Sequence, residues 1–160
     1  MPSTPACRGL YFEEFTIGQK MVSPGRSITE SDVVTFSGIS GDFNQIHTDI
    51  EFSKTTQFGR RVAHGLLCLS MASGLALRTG VLEGTVVAFR EINRWKFTKP
   101  VFIGDTIHVE MEVIEKKPFP RHGGGTVGIE VYVKNQNDET VMKGTWVALV
   151  LSKPAESPSS

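Results

Sequence analysis

Apolar positions along the chain follow two patterns, one in its middle and one in its second half. Residues 65–79 carry apolar side chains on nearly every face of a helix, and such a helix must be surrounded by protein. From Val86 onward the pattern changes to alternation or to short apolar runs, which predicts strands at residues 86–97, 106–115, 126–134 and 141–151. An all-round apolar helix followed by long antiparallel strands predicts an α+β fold, with a curved sheet wrapped around a central helix.

The segment before this helix is predicted to be helical and then to become a polar loop. Thr29 stands three residues before Asp32, the spacing of a capping box, and apolar residues follow, so we expect a helix at residues 30–40. Gly41 ends that helix. Residues 42–48 show little apolar periodicity and are predicted to form a loop, with a short helical piece at residues 50–55.

Length and composition indicate one domain. A chain of 160 residues can bury a sizeable core without disulfides or metals. Both ends are rich in proline and serine and offer little to bury, so we expect flexible segments at residues 1–10 and 153–160 around a domain at residues 11–152. The apolar stretch 66–77 is too short for a membrane span and is interrupted by serine and glycine.

Charge and cysteine content exclude several classes of function. The chain has 17 basic and 17 acidic side chains, so no net field attracts nucleic acid or anionic lipid. Its two cysteines, Cys7 and Cys68, and the lack of a signal-peptide pattern at its start predict a cytoplasmic protein rather than a disulfide scaffold. We interpret Cys68 as a buried small hydrophobic residue.

Asp42 and His47 are the strongest candidates for chemistry. A carboxylate and an imidazole on one loop can hold a water between them, one side taking a proton as the other gives one. Histidine titrates near neutral pH and can therefore change its role. The alternative is that Asp42 caps a turn and His47 is an ordinary loop residue, because the spacing alone is a weak motif.

Two positions on the central helix could support this pair. Gly65 in the first helical turn would leave backbone N–H groups open to a ligand, and a thioester carbonyl could bind there, although Gly65 could equally serve only tight packing. Ser73 lies eight residues further along and is expected on the same side of the helix. Its hydroxyl could orient the acid–base pair or bond the carbonyl one turn back.

Other polar residues are weaker candidates. His108 in a strand and His122 in a glycine-rich loop are predicted to be structural or solvated, and His64 to shape the start of the helix. No spacing typical of a metal site joins these residues to Asp49, so no metal is expected. Four basic groups alternate with apolar residues near the first long strand: Arg90, Arg94, Lys96 and Lys99. This pattern is typical of a solvated face and sometimes of a binding site for coenzyme A phosphates.

Three segments in order carry a family resemblance. Residues 36–47 read FSGISGDFNQIH, residues 63–66 read AHGL and residues 97–106 read FTKPVFIGDT. This combination resembles the MaoC-like, (R)-specific enoyl-CoA hydratase family. The resemblance spans most of the domain and implies a hot-dog fold, commonly a homodimer, with no cofactor other than coenzyme A as part of the substrate.

The resemblance also implies roles for individual residues. Asp42 and His47 match the catalytic pair that holds the water, and Gly65 matches the glycine whose N–H binds the thioester oxygen. Asn44 matches the asparagine of the hydratase motif, and Ser73 a hydroxyl that supports the catalytic histidine. Gln45 departs from the family, which usually has proline there, and the loss of that proline should cost about 1 kcal/mol of preorganisation.

These observations predict a hydro-lyase that adds water to a trans-2-enoyl-CoA to give an (R)-3-hydroxyacyl-CoA, or catalyses the reverse dehydration. Two alternatives remain open. A hot-dog thioesterase would use the same helix end, but such enzymes usually place a carboxylate on the central helix, and residues 65–79 contain none. A non-catalytic acyl-CoA-binding subunit is the other, because fold does not fix function.

Overall fold

The computed structural model describes residues 9–154. Its helices are α1 (Glu30–Ser40), α2 (Gln45–Thr48), α3 (Ile50–Lys54) and α4 (Gly65–Leu77). Its strands are β1 (Lys20–Val22), β2 (Arg26–Ser27), β3 (Val86–Phe97), β4 (Thr106–Phe119), β5 (Gly124–Lys134) and β6 (Thr140–Leu151). Predictions that fall on residues 1–8 and 155–160, Cys7 among them, lie outside the described residues.

The strands form one antiparallel sheet in the order β1-β4-β5-β6-β3, with β2 also paired to β4. The four long strands predicted from the sequence are confirmed. Their alternation buries one face of the sheet against α4, and the buried side chains of the two central strands are Ile107, Val109, Met111, Val113, Val127, Ile129, Val131 and Val133. The predicted α+β fold, a sheet around a central helix, is therefore confirmed.

Helix α4 is buried on one side only. Leu67, Met71 and Leu75 lie in the core, whereas Leu66 is 62% exposed and Leu77 is 52% exposed. The prediction that protein surrounds this helix is thus correct for the side that faces the sheet. The side that carries Leu66 and Leu77 is not covered by residues 9–154. Within residues 9–154, no helix combines the length and the apolar character needed to cross a membrane.

Local signals placed α1 correctly and missed α2. Thr29 and Asp32 form the expected capping box, and Gly41 ends α1 in the left-handed region with φ 76°. Residues 45–48 form one helical turn rather than the predicted loop, because the Asn44 side chain accepts from the amide of Ile46 and caps it. A turn this short leaves no periodic pattern in a sequence.

Backbone hydrogen bonding and strands extend beyond the predicted bounds. Gly9 and Leu10, expected to be flexible, donate backbone hydrogen bonds to the carbonyls of Glu83 and Val81. Strand β5 begins inside the glycine run, where its backbone approaches β6 closely. A Cβ at Gly124 would collide with the backbone of β6, so only glycine fits at this position. Strands β1 and β2 have three and two residues and were not predicted.

Candidate functional site

Asp42 is held in a turn directly after α1. The amide of Gly41 donates to the carbonyl of Ser37 and ends the helix. The Asp42 amide then donates to Ser40 Oγ at 3.1 Å, and Asp42 Oδ1 accepts from the Asn44 amide at 3.2 Å. Because these bonds fix the turn and engage Oδ1, the second carboxylate oxygen, Oδ2, is left to face the other candidate residue.

His47 lies on α2 and is only 7% exposed. Its Nδ1 lies 2.7 Å from the carbonyl oxygen of Val62. A carbonyl can only accept, so Nδ1 carries the proton and Nε2 of the neutral ring carries a lone pair. Nε2 lies 4.0 Å from Oδ2 of Asp42. The two residues that the sequence singled out are therefore brought together, with their reactive atoms facing each other.

The surroundings of His47 lower the pKa of its imidazolium below the ordinary value of 6.5. Burial is the largest cause, because it disfavours the charged ring. The hydrogen bond to the Val62 carbonyl and the carboxylate of Asp42 raise this pKa, and the neighbouring His64 lowers it. His47 is therefore neutral near pH 7, with Nε2 able to accept a proton.

Asn44 lies between the acid and the base in the backbone of the loop. Its amide donates to Asp42 Oδ1, its side chain caps α2, and its carbonyl accepts from the His47 amide at 2.9 Å. Asn44 thus connects both candidate residues through local bonds, a position consistent with its predicted supporting role.

Gly65 and His47 line one cavity of about 490 Å³. Gly65 is the first residue of α4, so its amide has no acceptor within the helix, and no acceptor for it is found among residues 9–154. The rest of the lining is largely apolar: Phe58, Val62, Ala63, Leu66, Cys68, Phe97, Pro100, Val101 and Met142, with Thr98 and Lys99 at the end of β3. An apolar ligand in this cavity would have a free amide donor and the imidazole beside it.

Glycine at the helix start has a steric reason in this fold. A Cβ built on Gly65 would lie 2.8 Å from the ring of Phe97, which is closer than side-chain carbons approach. The tight packing that was weighed as the alternative is therefore present, and the same residue also leaves its amide free.

Ser73 does not contact the pair within the chain. Its hydroxyl donates to the carbonyl of Ser70 at 2.7 Å, and its side chain is exposed. Gly65 and Ser73 are both exposed, so the two residues lie on the outward side of α4, about 80° apart around the helix axis. The structure shows the weighed alternative, a bond to a nearby helical carbonyl, and leaves a supporting role as a prediction.

His64, predicted to shape the start of α4, makes contacts that sequence reasoning missed. It is 2% exposed, and its ring stacks on His47 with 3.8 Å between centroids and 30° between planes. Its Nε2 lies 3.0 Å from the backbone carbonyl oxygen of Asp42. The only sequence signal was its place beside Gly65, and spacing alone does not show a ring stack.

Asp42, His47 and His64 each offer a possible metal-ligand atom, and these atoms lie within 4.8 Å of one another. Two features argue against assigning a metal site. Nε2 of His64 already faces a backbone carbonyl, and the 4.0 Å between Asp42 Oδ2 and His47 Nε2 exceeds the roughly 3.3 Å between ligands of a tetrahedral ion with bonds of about 2 Å.

Among residues 9–154, neither the other two histidines nor these basic groups contact Asp42 or His47, although Lys99 lines the same cavity as His47. His108 Nε2 is 3.5 Å from Glu110 Oε1 on β4, and His122 stacks on Phe119. Lys99 is paired with Glu139 at 2.5 Å. The remaining basic side chains of the first long strand are exposed, as expected of a solvated face: Arg90, Arg94 and Lys96.

Cys68 is buried at 1% exposure, as predicted, and burial raises the pKa of its thiol to about 12. Its sulfur is therefore protonated at physiological pH and behaves as an apolar part of the cavity wall.

A comparison with family models decides the family. The model of the MaoC like domain matches residues 13–135, which include the acid, the base and the start of α4. This chain belongs to the MaoC-like domain family. The family predicted from the resemblance is thus confirmed.

Curated relatives of this MaoC-like domain include two bacterial proteins. It is 34% identical to the 3-hydroxybutyryl-CoA dehydratase of Methylorubrum extorquens over 96% of this chain and 92% of that protein. It is 39% identical over 101 residues to protein MaoC of Klebsiella aerogenes, covering 63% of this chain but only 30% of that protein.

Solved structures similar to this MaoC-like domain agree in fold. R-hydratase PhaJ1 of Pseudomonas aeruginosa, unliganded, has a TM-score of 0.75 and 32% identity, covering 95% of this chain and 96% of that one. Rv0216 of Mycobacterium tuberculosis, described as a double hot-dog fold, has a TM-score of 0.82 at 21% identity, covering 95% of this chain and 47% of that one. The fold of the MaoC-like domain is the hot-dog fold.

Proposed function

We propose that this protein adds water to a trans-2-enoyl-CoA to give a 3-hydroxyacyl-CoA, or catalyses the reverse dehydration. The observation that carries the proposal is the pairing of Asp42 Oδ2 with His47 Nε2 at 4.0 Å, with His47 in the same apolar cavity as the free amide of Gly65. Relatives named as a hydratase and a dehydratase support it.

The acid–base pair has the geometry to hold one water. A water with hydrogen bonds of about 2.8 Å to both atoms fits a gap of this width. Nε2 accepts one proton of the water because Nδ1 already donates to Val62. As the water oxygen bonds to C3 of the enoyl group, the O–H bond breaks and its proton passes to the pair. We assign this step to Asp42 and His47 jointly, because coupled groups titrate as a unit.

The thioester end completes the reaction. Attack at C3 moves the electron pair of the double bond toward the carbonyl and creates enolate charge on its oxygen. The Gly65 amide, oriented in advance at the start of α4, stabilises that charge. The pair then returns a proton to C2, so one water is added across the double bond and both residues regain their starting state. Nothing in this balance requires a resident metal or cofactor, and coenzyme A takes part only within the substrate.

The lining of the cavity favours an apolar acyl chain. Among residues 9–154, Lys99 is the only lysine or arginine in the lining, and it is already paired with Glu139. A second carboxylate on the acyl group would therefore lose water without gaining a free cation. We accordingly propose unsubstituted or alkyl-branched enoyl groups over dicarboxylic ones, with (R) configuration as in the resemblance.

A homodimer is part of the proposal. Strand β3 lies at an edge of the sheet, and its exposed residues include Val87, Phe89 and Ile92. Leu66 and Leu77 on α4 are exposed apolar side chains as well, and among residues 9–154 the outer edge of β3 leaves strand amides and carbonyls unpaired. A second copy can cover both features at once.

The cytoplasmic location inferred from the cysteine content remains part of the proposal.

The test is a direct assay with purified protein. Loss of the enoyl-thioester absorbance is followed with crotonyl-CoA, longer enoyl-CoAs and a dicarboxylic analogue, and the configuration of the product is determined on a chiral column. We expect turnover of apolar substrates and formation of the (R) product. Release of free thiol without a hydroxyacyl product would identify a thioesterase instead, and binding without either product would identify a non-catalytic subunit.

A further inference from the structure

His64 is a buried titratable residue that the proposed reaction does not use. Its ring contacts two others: it is stacked on His47 with 3.8 Å between centroids and tilted against Phe36 with 5.0 Å between centroids. Because Phe36 belongs to α1 and His47 to α2, this three-ring stack links both helices to the residue that precedes α4. His47 therefore has little freedom to rotate away on that side.

The His64 ring also makes a hydrogen bond to the backbone of Asp42. Nε2 lies 3.0 Å from the carbonyl oxygen of Asp42 and 3.4 Å from Ser37 Oγ. Since the carbonyl can only accept, Nε2 carries the proton in the neutral ring. Among residues 9–154, Nδ1 has no hydrogen-bond partner. The donor that His64 offers is therefore directed at the backbone of Asp42.

We propose that His64 is a positioning residue, which fixes the plane of His47 by stacking and the backbone of Asp42 by its Nε2–H donor. One side chain thus sets the separation between Asp42 Oδ2 and His47 Nε2 and keeps it suited to a single bridging water. This inference rests on the proposed hydratase function for its kinetic effect, but the geometric claim can be tested without turnover.

Three substitutions separate the two contributions of the ring. His64→Phe keeps the stack and loses the donor, His64→Gln keeps a donor amide and loses the stack, and His64→Ala loses both. We expect His64→Ala to lower kcat by about 10²-fold, the scale of a misplaced catalytic group, with KM changed less than about threefold. His64→Phe and His64→Gln should each recover part of the lost turnover.

Leu75→Ala is the matched control for a buried change in the same region. Leu75 is 1% exposed on α4 and does not line the cavity. It should lower Tm and leave kcat per folded molecule near the wild-type value. If His64→Ala retained wild-type kcat, or if its loss of activity were no larger than that of Leu75→Ala at equal loss of Tm, the proposal would be overturned.

A titration of His47 by NMR tests the geometry apart from catalysis. The titratable groups that act on His47 are Asp42 and His64, and His64 lowers the pKa of His47. In His64→Gln the pKa of His47 should therefore rise, and the acidic limb of the pH–rate profile should move up with it. An unchanged His47 titration would overturn the proposal. A wild-type protein without turnover but with the shifted titration would overturn only the hydratase function.

Discussion

Within residues 9–154, two clusters contain the same kinds of side chain: Asp42, His47 and His64 before α4, and His108, Glu110 and Asp138 at the outer face of the sheet. In the outer cluster, His108 and Glu110 lie 3.5 Å apart, closer than the 4.0 Å between Asp42 and His47. Distance between acid and base therefore does not identify the reactive pair.

What separates the clusters is their surroundings. The outer carboxylates are both paired with Lys134, at 3.0 Å from Glu110 and 3.0 Å from Asp138, and none of the three residues is buried. His47 is buried, its Nδ1 is engaged, and its cavity contains the free amide of Gly65. A fixed tautomer and exclusion of solvent are what give a histidine and a carboxylate a defined chemical task.

The largest effect should come from removing either member of the inner pair. Asp42→Asn or His47→Gln should each lower kcat on enoyl-CoA by about 10²- to 10⁴-fold, the range for a lost general acid or base. Asp42→Asn preserves size and shape, and His47→Gln keeps a polar amide of similar size but loses the ring stack on His64. Circular dichroism should stay near wild type for both variants, and Tm should fall only for His47→Gln. Turnover equal to wild type in both variants would show that Asp42 and His47 are as inert as the outer cluster.

The helix amide can be tested by crowding it. In Gly65→Ala the new methyl group meets Phe97, so we expect kcat/KM to fall by about 10- to 10²-fold, the scale of a substrate displaced from its donor. Gly74→Ala is the matched control on the same helix, because a Cβ there meets nothing within 4 Å. It should leave activity unchanged and raise the free energy of unfolding by up to about 1 kcal/mol. Equal kinetics for the two variants would contradict a role for the Gly65 amide.

The pH dependence should also follow the inner cluster. The pKa of His47 is lowered by burial, so the rate of hydration should be constant near pH 7 and fall only below pH 6.5, where the ring gains its proton. Below its ordinary pKa the unfolded chain binds more protons at this residue than the folded chain, so the free energy of unfolding falls as well. A pH–rate profile and a urea titration series measure both, and an acidic limb above pH 6.5 would contradict the assignment.

The sequence predicted the elements that local rules determine. The capping box of Thr29 and Asp32, the alternation in the long strands and the apolar run of α4 needed no knowledge of distant contacts. The stack of His64 on His47 joins residues from separate elements, and its geometry depends on where α1, α2 and α4 meet. Sequence spacing carries no information on such a contact.

The same limit applied to the faces of α4. Its apolar residues gave the helix correctly, but a single sequence does not show that Leu66 and Leu77 face away from the chain's own core. The position of Ser73 on the exposed side of α4 is consistent with its spacing from Gly65, but spacing alone does not give the partner of its hydroxyl. Asp42, His47 and Gly65 could be singled out because they stand close to one another in sequence and match a family motif, and their catalytic roles stay predictions.

A smaller effect is expected at Gln45, where the family usually has proline. Gln45 is the first residue of α2, a position that proline favours, and Asn44 before it has φ −52° and ψ 135°, which a following proline allows. Gln45→Pro should therefore raise the free energy of unfolding by about 0.4 to 1 kcal/mol and keep activity. Gln57→Pro, in an exposed turn outside the site, is the comparison for a general effect of proline. Lost activity in Gln45→Pro alone would show that the loop needs the freedom of glutamine.

The smallest effect should come from the outer cluster itself. His108 lies 3.5 Å from the carboxylate of Glu110, whereas His47 lies 4.0 Å from that of Asp42. His108→Gln is therefore the strictest control for the comparison of the two clusters. The side chain is half-buried on the outer face and its partner Glu110 is already satisfied by Lys134, so we expect unchanged kcat and a change of less than about 1 kcal/mol in the free energy of unfolding. A loss of turnover comparable to that of His47→Gln would mean that surroundings do not distinguish the clusters, and that the catalytic pair lies on the sheet.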